Sequence, residues 1–160
     1  MTDDGRVKGE TRDERLTRNW NELLQELRVA QTGVQILTAF LLTVPFTERF
    51  EDLSDGQELV YLAVLSGSVA ATALLVAPVA MHRALFRQGQ RPWLVRAAHR
   101  CASVGLAALA ITVSGVLWLV FDVVIGPTWA WWAFAASALL FGSLWIALPL
   151  LNHRARSRVS

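Results

Sequence analysis

Asp122 is the only acid inside any of the chain's long apolar stretches. A carboxylate in a hydrocarbon surround is a candidate ion or proton site. Arg28, Gln31, Gln35 and Thr38 follow one another at i, i+3, i+7 and i+10 and project to one side of a helix. Such a stripe has two readings. It can be a polar entry path for an ion, or amides that bond neighbouring helices together for about 1 kcal/mol each. Asp122 also has two readings, an ion site or a group that caps the nearby Gly126 turn or faces Arg49. Distance argues against one continuous relay. Thr38 lies ~15 Å from the start of its apolar stretch, and Asp122 ~30 Å along its own helix toward the opposite end. Between them the chain supplies only hydroxyls, among them Ser66, Ser68, Thr72, Thr112 and Ser114. A proton path would need ordered water or a second copy.

All three histidines precede an arginine: His82-Arg83, His99-Arg100 and His153-Arg154. Three imidazoles at one level could sense pH, bind a metal or hold an anionic lipid head group. The competing reading is that amphipathic side chains collect at a membrane boundary. No acid or cysteine stands at the usual close spacing for a metal, so the chain is assigned no metal and no cofactor. Cys101 is the only cysteine, which excludes an intrachain disulfide and a dithiol redox centre. No acid pair, His-rich metal motif or nucleophile with a base is present in the pattern, so no enzyme is expected.

Four apolar stretches must position these residues: 29–46, 59–81, 101–125 and 129–151. Each has 18 or more residues with at most one charge, enough to cross the ~30 Å hydrocarbon core. Fourteen of the fifteen Lys and Arg lie before the first stretch, between the second and third, or after the fourth; the outer connections hold only Arg49. The excess of basic residues places both termini in the cytoplasm. Trp129, Trp131 and Trp132 suit an outer aromatic belt, Trp20 and Trp93 an inner one. The pI of about 9.3 follows from arginines bordering spans, so lipid rather than nucleic acid is the expected partner.

The expected organisation is a disordered cytoplasmic tail over 1–13, an amphipathic juxtamembrane helix over 14–28, a four-span domain over 29–151 and a basic tail over 152–160. No cleavable leader is apparent in the first 28 residues. Leu16, Trp20, Leu23, Leu24 and Leu27 form one apolar face, with Glu14–Arg18 and Arg18–Glu22 as i, i+4 pairs on the wet side. Nothing interrupts this helix before Pro45, so it is expected to run into the first span. Glu22 and Glu26 suit docking on protein, such as the arginine-rich inner loop, better than on anionic lipid. Ser54 and Gln57 form a capping box that starts the second helix, which is expected to end near Pro78–His82. Pro92 opens the third helix and Gly126-Pro127 turns into the fourth, with Thr128 as its expected cap. Ala63, Gly67, Ala70 and Ala71 on the second helix, and Ala135, Ala138 and Gly142 on the fourth, permit close helix approach. A Pro-x-x-x-His-Arg-Ala sequence recurs at 78–84 and 149–155, a possible trace of a two-plus-two repeat or simply two similar helix ends.

The run from Arg18 to Gln35, RNWNELLQELRVAQTGVQ, with the Ala77–Arg83 exit and the Ala98-His99-Arg100 entry, resembles an uncharacterised actinobacterial family of small four-span integral membrane proteins. That family is a domain of unknown function whose members sometimes carry an automatic sodium:proton antiporter label. The resemblance implies an all-α, four-helix transmembrane bundle and supplies no catalytic residues. The expected function is that of an inner-membrane protein acting through assembly with itself, lipid or a membrane complex. The alternative is an ion-coupled transporter such as a cation:proton antiporter. Small multidrug transporters place a glutamate in their first span; Gln35 in the corresponding region cannot exchange a proton.

Overall fold

The computed structural model describes residues 12–85 and 92–147. The expected tails, the Gly89-Gln90-Arg91 loop, His153, Arg154 and the second Pro-x-x-x-His-Arg-Ala copy lie outside the described residues. So does the arginine-rich docking site considered for Glu22 and Glu26, both of which are exposed. Four helices account for nearly everything described: α1 (Arg12–Thr43), α2 (Asp55–Leu85), α3 (Pro92–Val124) and α4 (Pro127–Gly142), the last continuing as a π-helical turn over Ser143–Ala147. Three segments are long and apolar enough to cross a membrane: Leu24–Phe46, Asp55–Met81 and Arg96–Val124.

α1 passes without a break through the junction between its charged and apolar halves. Arg18 Nε lies 3.8 Å from Glu22 Oε1, an exposed i, i+4 pair that contributes only a few tenths of a kcal/mol. Buried Leu27, Val34 and Leu41 recur every seven residues and pack against α2 and α3. The helix ends because Pro45 has no N–H to offer the Leu41 carbonyl. The Tyr61 hydroxyl donates to that carbonyl from α2 at 2.6 Å instead. Tyr61 is 1% exposed, and its ring meets Phe50 edge-on with centroids 5.1 Å apart. Two short 3-10 turns, Val44–Phe46 and Glu48–Phe50, carry the chain to α2.

The capping box forms. Ser54 N–H donates to Gln57 Oε1 at 3.0 Å, and Gln57 N–H to Ser54 Oγ at 3.4 Å. α2 runs three residues past its expected end near Pro78–His82, continuing through a buried Pro78 to Leu85. Pro78 removes the donor that would meet the Leu74 carbonyl. A neighbouring helix compensates, because Gln31 Nε2 of α1 donates to the next carbonyl, that of Leu75, at 2.9 Å. Proline is tolerated inside an apolar helix when a neighbour meets the disturbed backbone in this way.

α3 and α4 meet at Gly126, whose φ of 112° reverses the chain. Ile125 and Gly126 both donate to the Phe121 carbonyl, at 2.9 and 3.1 Å. Gly126, not Thr128, is the N-cap, and no side chain caps the helix. Pro127 at the first helical position explains the difference: its fixed φ suits that site and its missing N–H needs no cap.

The helices pack in chain order, α1 on α2, α2 on α3 and α3 on α4. Among the described residues neither α1 nor α2 touches α4. α3 is held between α2 and α4, while α1 packs mainly on α2 and also meets α3, where Leu27 and Val34 share a core with Ala71, Leu75 and Ala102.

Candidate functional site

The antiparallel α2–α3 seam is a ladder of tight contacts. Its first rung is polar: Gln57 Nε2 donates to Asp122 Oδ2 at 2.7 Å. Below it a Cβ placed on Gly115 would stand 2.6 Å from Val64 Cγ1, and one on Gly67 would stand 2.5 Å from Thr112 Oγ1. Gly105 lies against Leu74 and Leu75 at 3.0–3.1 Å. Only glycine lets the two backbones come this close. The same register brings Arg83 of α2 toward the level of Arg96 and His99 on α3, at the end opposite the Gly126 turn.

Asp122 is half-buried at the turn end. Its carboxylate accepts the Gln57 amide rather than capping Gly126 or facing Arg49. Gln57 thus has two tasks: its Oε1 closes the capping box while its Nε2 holds Asp122. The first task is legible in the Ser-x-x-Gln spacing, the second only in the pairing of α2 with α3.

The α1 stripe divides. Gln31 is half-buried against α2, and Thr38 returns its hydroxyl to the Val34 carbonyl of its own helix at 2.8 Å. Arg28 and Gln35 are exposed, and Gln35 has no hydrogen-bond partner among the described residues. Gln31, Gln35 and Thr38 are therefore not drawn into one path, and none is placed beside Asp122, which lies on α3 and bonds α2. Ser68, Thr72 and Ser114 likewise donate to carbonyls three or four residues back in their own helices.

Of the histidine–arginine pairs, His82 and Arg83 fall in the last turns of α2 and His99 and Arg100 in the early turns of α3. Arg83, His99 and Arg100 are exposed. No group of three His, Cys, Asp or Glu among the described residues is arranged to hold a metal.

The opposite side of α3 differs. Between α3 and α4 runs an apolar groove of about 620 Å³, open along one side. Small residues line it: Ser103, Ala107, Ala110 and Ser114 from α3, Ala138 and Gly142 from α4. Above it Trp118 meets Trp131 edge-on with centroids 5.7 Å apart. The Trp118 Nε1 is buried with no acceptor among the described residues. Two signals for these features stand in the sequence without having been singled out. One is Tyr61, the only tyrosine, which answers the carbonyl that Pro45 leaves open. The other is the helical spacing of Arg96 and Arg100 below Ser103, Ala107, Ala110 and Ser114.

No curated protein and no solved structure matches this chain. The sequence profile of a family of unknown function, DUF6328, matches residues 9–149. The match covers all four helices, and the chain belongs to that family.

Proposed function

We propose that this protein is an integral inner-membrane module that crosses the bilayer four times, keeps both termini in the cytoplasm, and acts by assembling with a second copy rather than by catalysis. The charge distribution supports the topology: among the described residues Arg49 is alone at the turn end, and Arg18, Arg28, Arg83, Arg96 and Arg100 lie toward the other. For the fourth crossing, α4 and its π turn together reach from Pro127 to Ala147, about the ~20 residues a bilayer needs.

The observation that carries the assembly reading is Gln35. It is the central residue of the apolar stretch Leu24–Phe46, it is exposed, and lipid cannot meet its amide. It also lies on a seam. Gln25, Arg28, Thr32, Gln35, Ala39 and Leu42 alternate at three- and four-residue spacing and are all exposed. That is the spacing with which two helices supercoil left-handedly. A glutamine amide carries both donor and acceptor, so two copies of Gln35 across a twofold axis satisfy each other. Arg28 lies ~10 Å lower along the helix, where it can snorkel to water.

Cysteines placed singly at Gln35 and Ile36 in a Cys101→Ser background test this in native membranes. Oxidation is expected to give a disulfide-linked dimer from Gln35→Cys and little from Ile36→Cys, whose side chain points about 100° away. Gln35→Leu is expected to weaken the dimer roughly fivefold to tenfold, the scale of one interhelical hydrogen bond in lipid. Equal cross-linking at the two positions, or a dimer indifferent to Gln35→Leu, would reject the pairing. The antiporter alternative has less support: Asp122 bonds Gln57 at one end of the fold, and the polar side chains of the α1 stripe divide between two sides.

A further inference from the structure

The α3–α4 groove has a charged end. Ser103, Ala107, Ala110 and Ser114 recur at i, i+4, i+7 and i+11 on one side of α3. Arg100 and Arg96 continue that same side, one and two turns nearer the cytoplasmic end. Both are exposed, and neither has a carboxylate partner among the described residues. The acids that could oppose them, Glu22 and Glu26, are on α1, which packs mainly on α2 and also meets α3; Glu22 faces Arg18 instead, and neither acid pairs with Arg96 or Arg100 among the described residues. On the α4 side the groove is closed near its lower end by Trp145, whose ring meets Phe141 with centroids 5.0 Å apart. Trp145 sits on the π turn, a distortion that is frequent at functional sites.

We infer that this groove is a binding site for an anionic phospholipid of the inner leaflet, with one acyl chain between α3 and α4 and the phosphate held by Arg96 and Arg100. The apolar channel and the two unpaired guanidinium groups stand in the order in which a phospholipid presents its chain and its phosphate. Guanidinium binds phosphate through paired N–H groups. A second copy fits less well, because a twofold contact along this face would bring the same arginines together. The small residues explain why a chain can enter: a leucine or phenylalanine at Ala107 or Ala138 would fill the space. The site rests on the membrane placement proposed above and not on pairing through Gln35.

The test is native mass spectrometry of the full chain released from detergent after incubation with phosphatidylglycerol or phosphatidylcholine of identical acyl chains. The wild type is expected to retain phosphatidylglycerol in preference to phosphatidylcholine by roughly 30-fold, the affinity that two arginines at a membrane surface supply. Arg96→Gln with Arg100→Gln is expected to abolish the preference, and Ala107→Phe to lower retention of both lipids. Arg49→Gln, at the opposite end, is expected to change neither. Equal retention of the two lipids by the wild type, or a preference that survives the double arginine change, overturns the site. A wild type that retains no lipid, while Ala107→Phe converts a dimer to a monomer, also overturns it and gives the groove to a second copy. Alkaline carbonate extraction of native membranes is measured in parallel. Release of the protein there would defeat the membrane placement itself, whereas resistance combined with no lipid preference would defeat only this site.

Discussion

α3 has two neighbours and treats them differently. Toward α2 it presents Gly105, Thr112 and Gly115, and the backbones close until a single added methyl would collide. Toward α4 it presents Ser103, Ala107, Ala110 and Ser114, small but each with the Cβ that glycine lacks, together with Leu106 and Ile111, and a groove of about 620 Å³ stays open. Small residues therefore permit close approach without compelling it. On the α2 side each glycine receives a specific partner, Val64 against Gly115 and Leu75 against Gly105, so the surfaces interdigitate. On the α4 side Ala107 and Ala110 face Ala138 and Gly142, with Leu106, Ile111 and Phe134 along the walls, and a groove remains open beside the contact. Aromatic rings stand at the ends, where Trp118 and Trp131 meet near the Gly126 turn and Phe141 and Trp145 meet near the opposite end.

The strongest way to break this contrast is Gly115→Leu. The new Cβ would stand 2.6 Å from a methyl of Val64, a β-branched side chain with little rotamer freedom inside a helix. The helices must separate, at a cost of about 3 kcal/mol or more. A fall in the midpoint of unfolding in a mixed-micelle denaturation series, with no loss of helical circular dichroism before the transition, is the expected result. Gly67→Ala should cost less, because the atom it meets is the Thr112 hydroxyl, which can rotate away.

Gln57→Leu tests the polar end of the same seam. It removes the Ser54 N–H to Gln57 Oε1 half of the capping box, leaves the Gln57 N–H to Ser54 Oγ bond in place, and takes away the only hydrogen-bond partner of Asp122 among the described residues. The expected cost is about 1–2 kcal/mol, the scale of a lost cap plus a charge-assisted hydrogen bond in a wet setting. Gln57→Glu separates the two tasks. A glutamate still completes the box but sets a second carboxylate against Asp122, so its stability is expected to recover toward wild type only when the pair is protonated at low pH. A Gln57→Glu variant as stable at neutral pH as at pH 4 would show that the Asp122 contact contributes nothing.

How much of this was readable from the chain depends on how local each feature is. The Ser54–Gln57 box, the unbroken α1 and the Gly126-Pro127 turn are written within a few residues, and sequence reasoning reaches them. Pro78 misleads for a physical reason. Whether a proline ends a helix depends on what meets the disturbed carbonyls, and the answering group, Gln31, is 44 residues away from Leu75. The polar stripe misleads by geometry. Gln31 and Gln35 are one turn apart and only ~40° apart around the axis. In a closed bundle both would face inward. Here α1 packs on α2 and α3 with one side only, and the edge of that contact falls between the two glutamines. Both sides of α3 carry small residues, and that the glycines of α3 belong to the closed seam is settled only by which helix they meet.

The open seam makes the last prediction, with the smallest effect. Ala138 is exposed at the groove, so Ala138→Leu adds three methylene-sized groups to empty space. It is expected to change stability by less than about 0.5 kcal/mol, the range of substitutions that disturb no packing, against the several-fold larger cost of Gly115→Leu. The two changes place the same side chain in the two seams beside α3, and because replacing glycine inside a helix gains about 1 kcal/mol of propensity over replacing alanine, a larger cost at Gly115 reports crowding. Equal destabilisation by the two, read from the same denaturation series, would mean that α4 closes on α3 as tightly as α2 does. The contrast between the seams, and the lipid site with it, would then fail together.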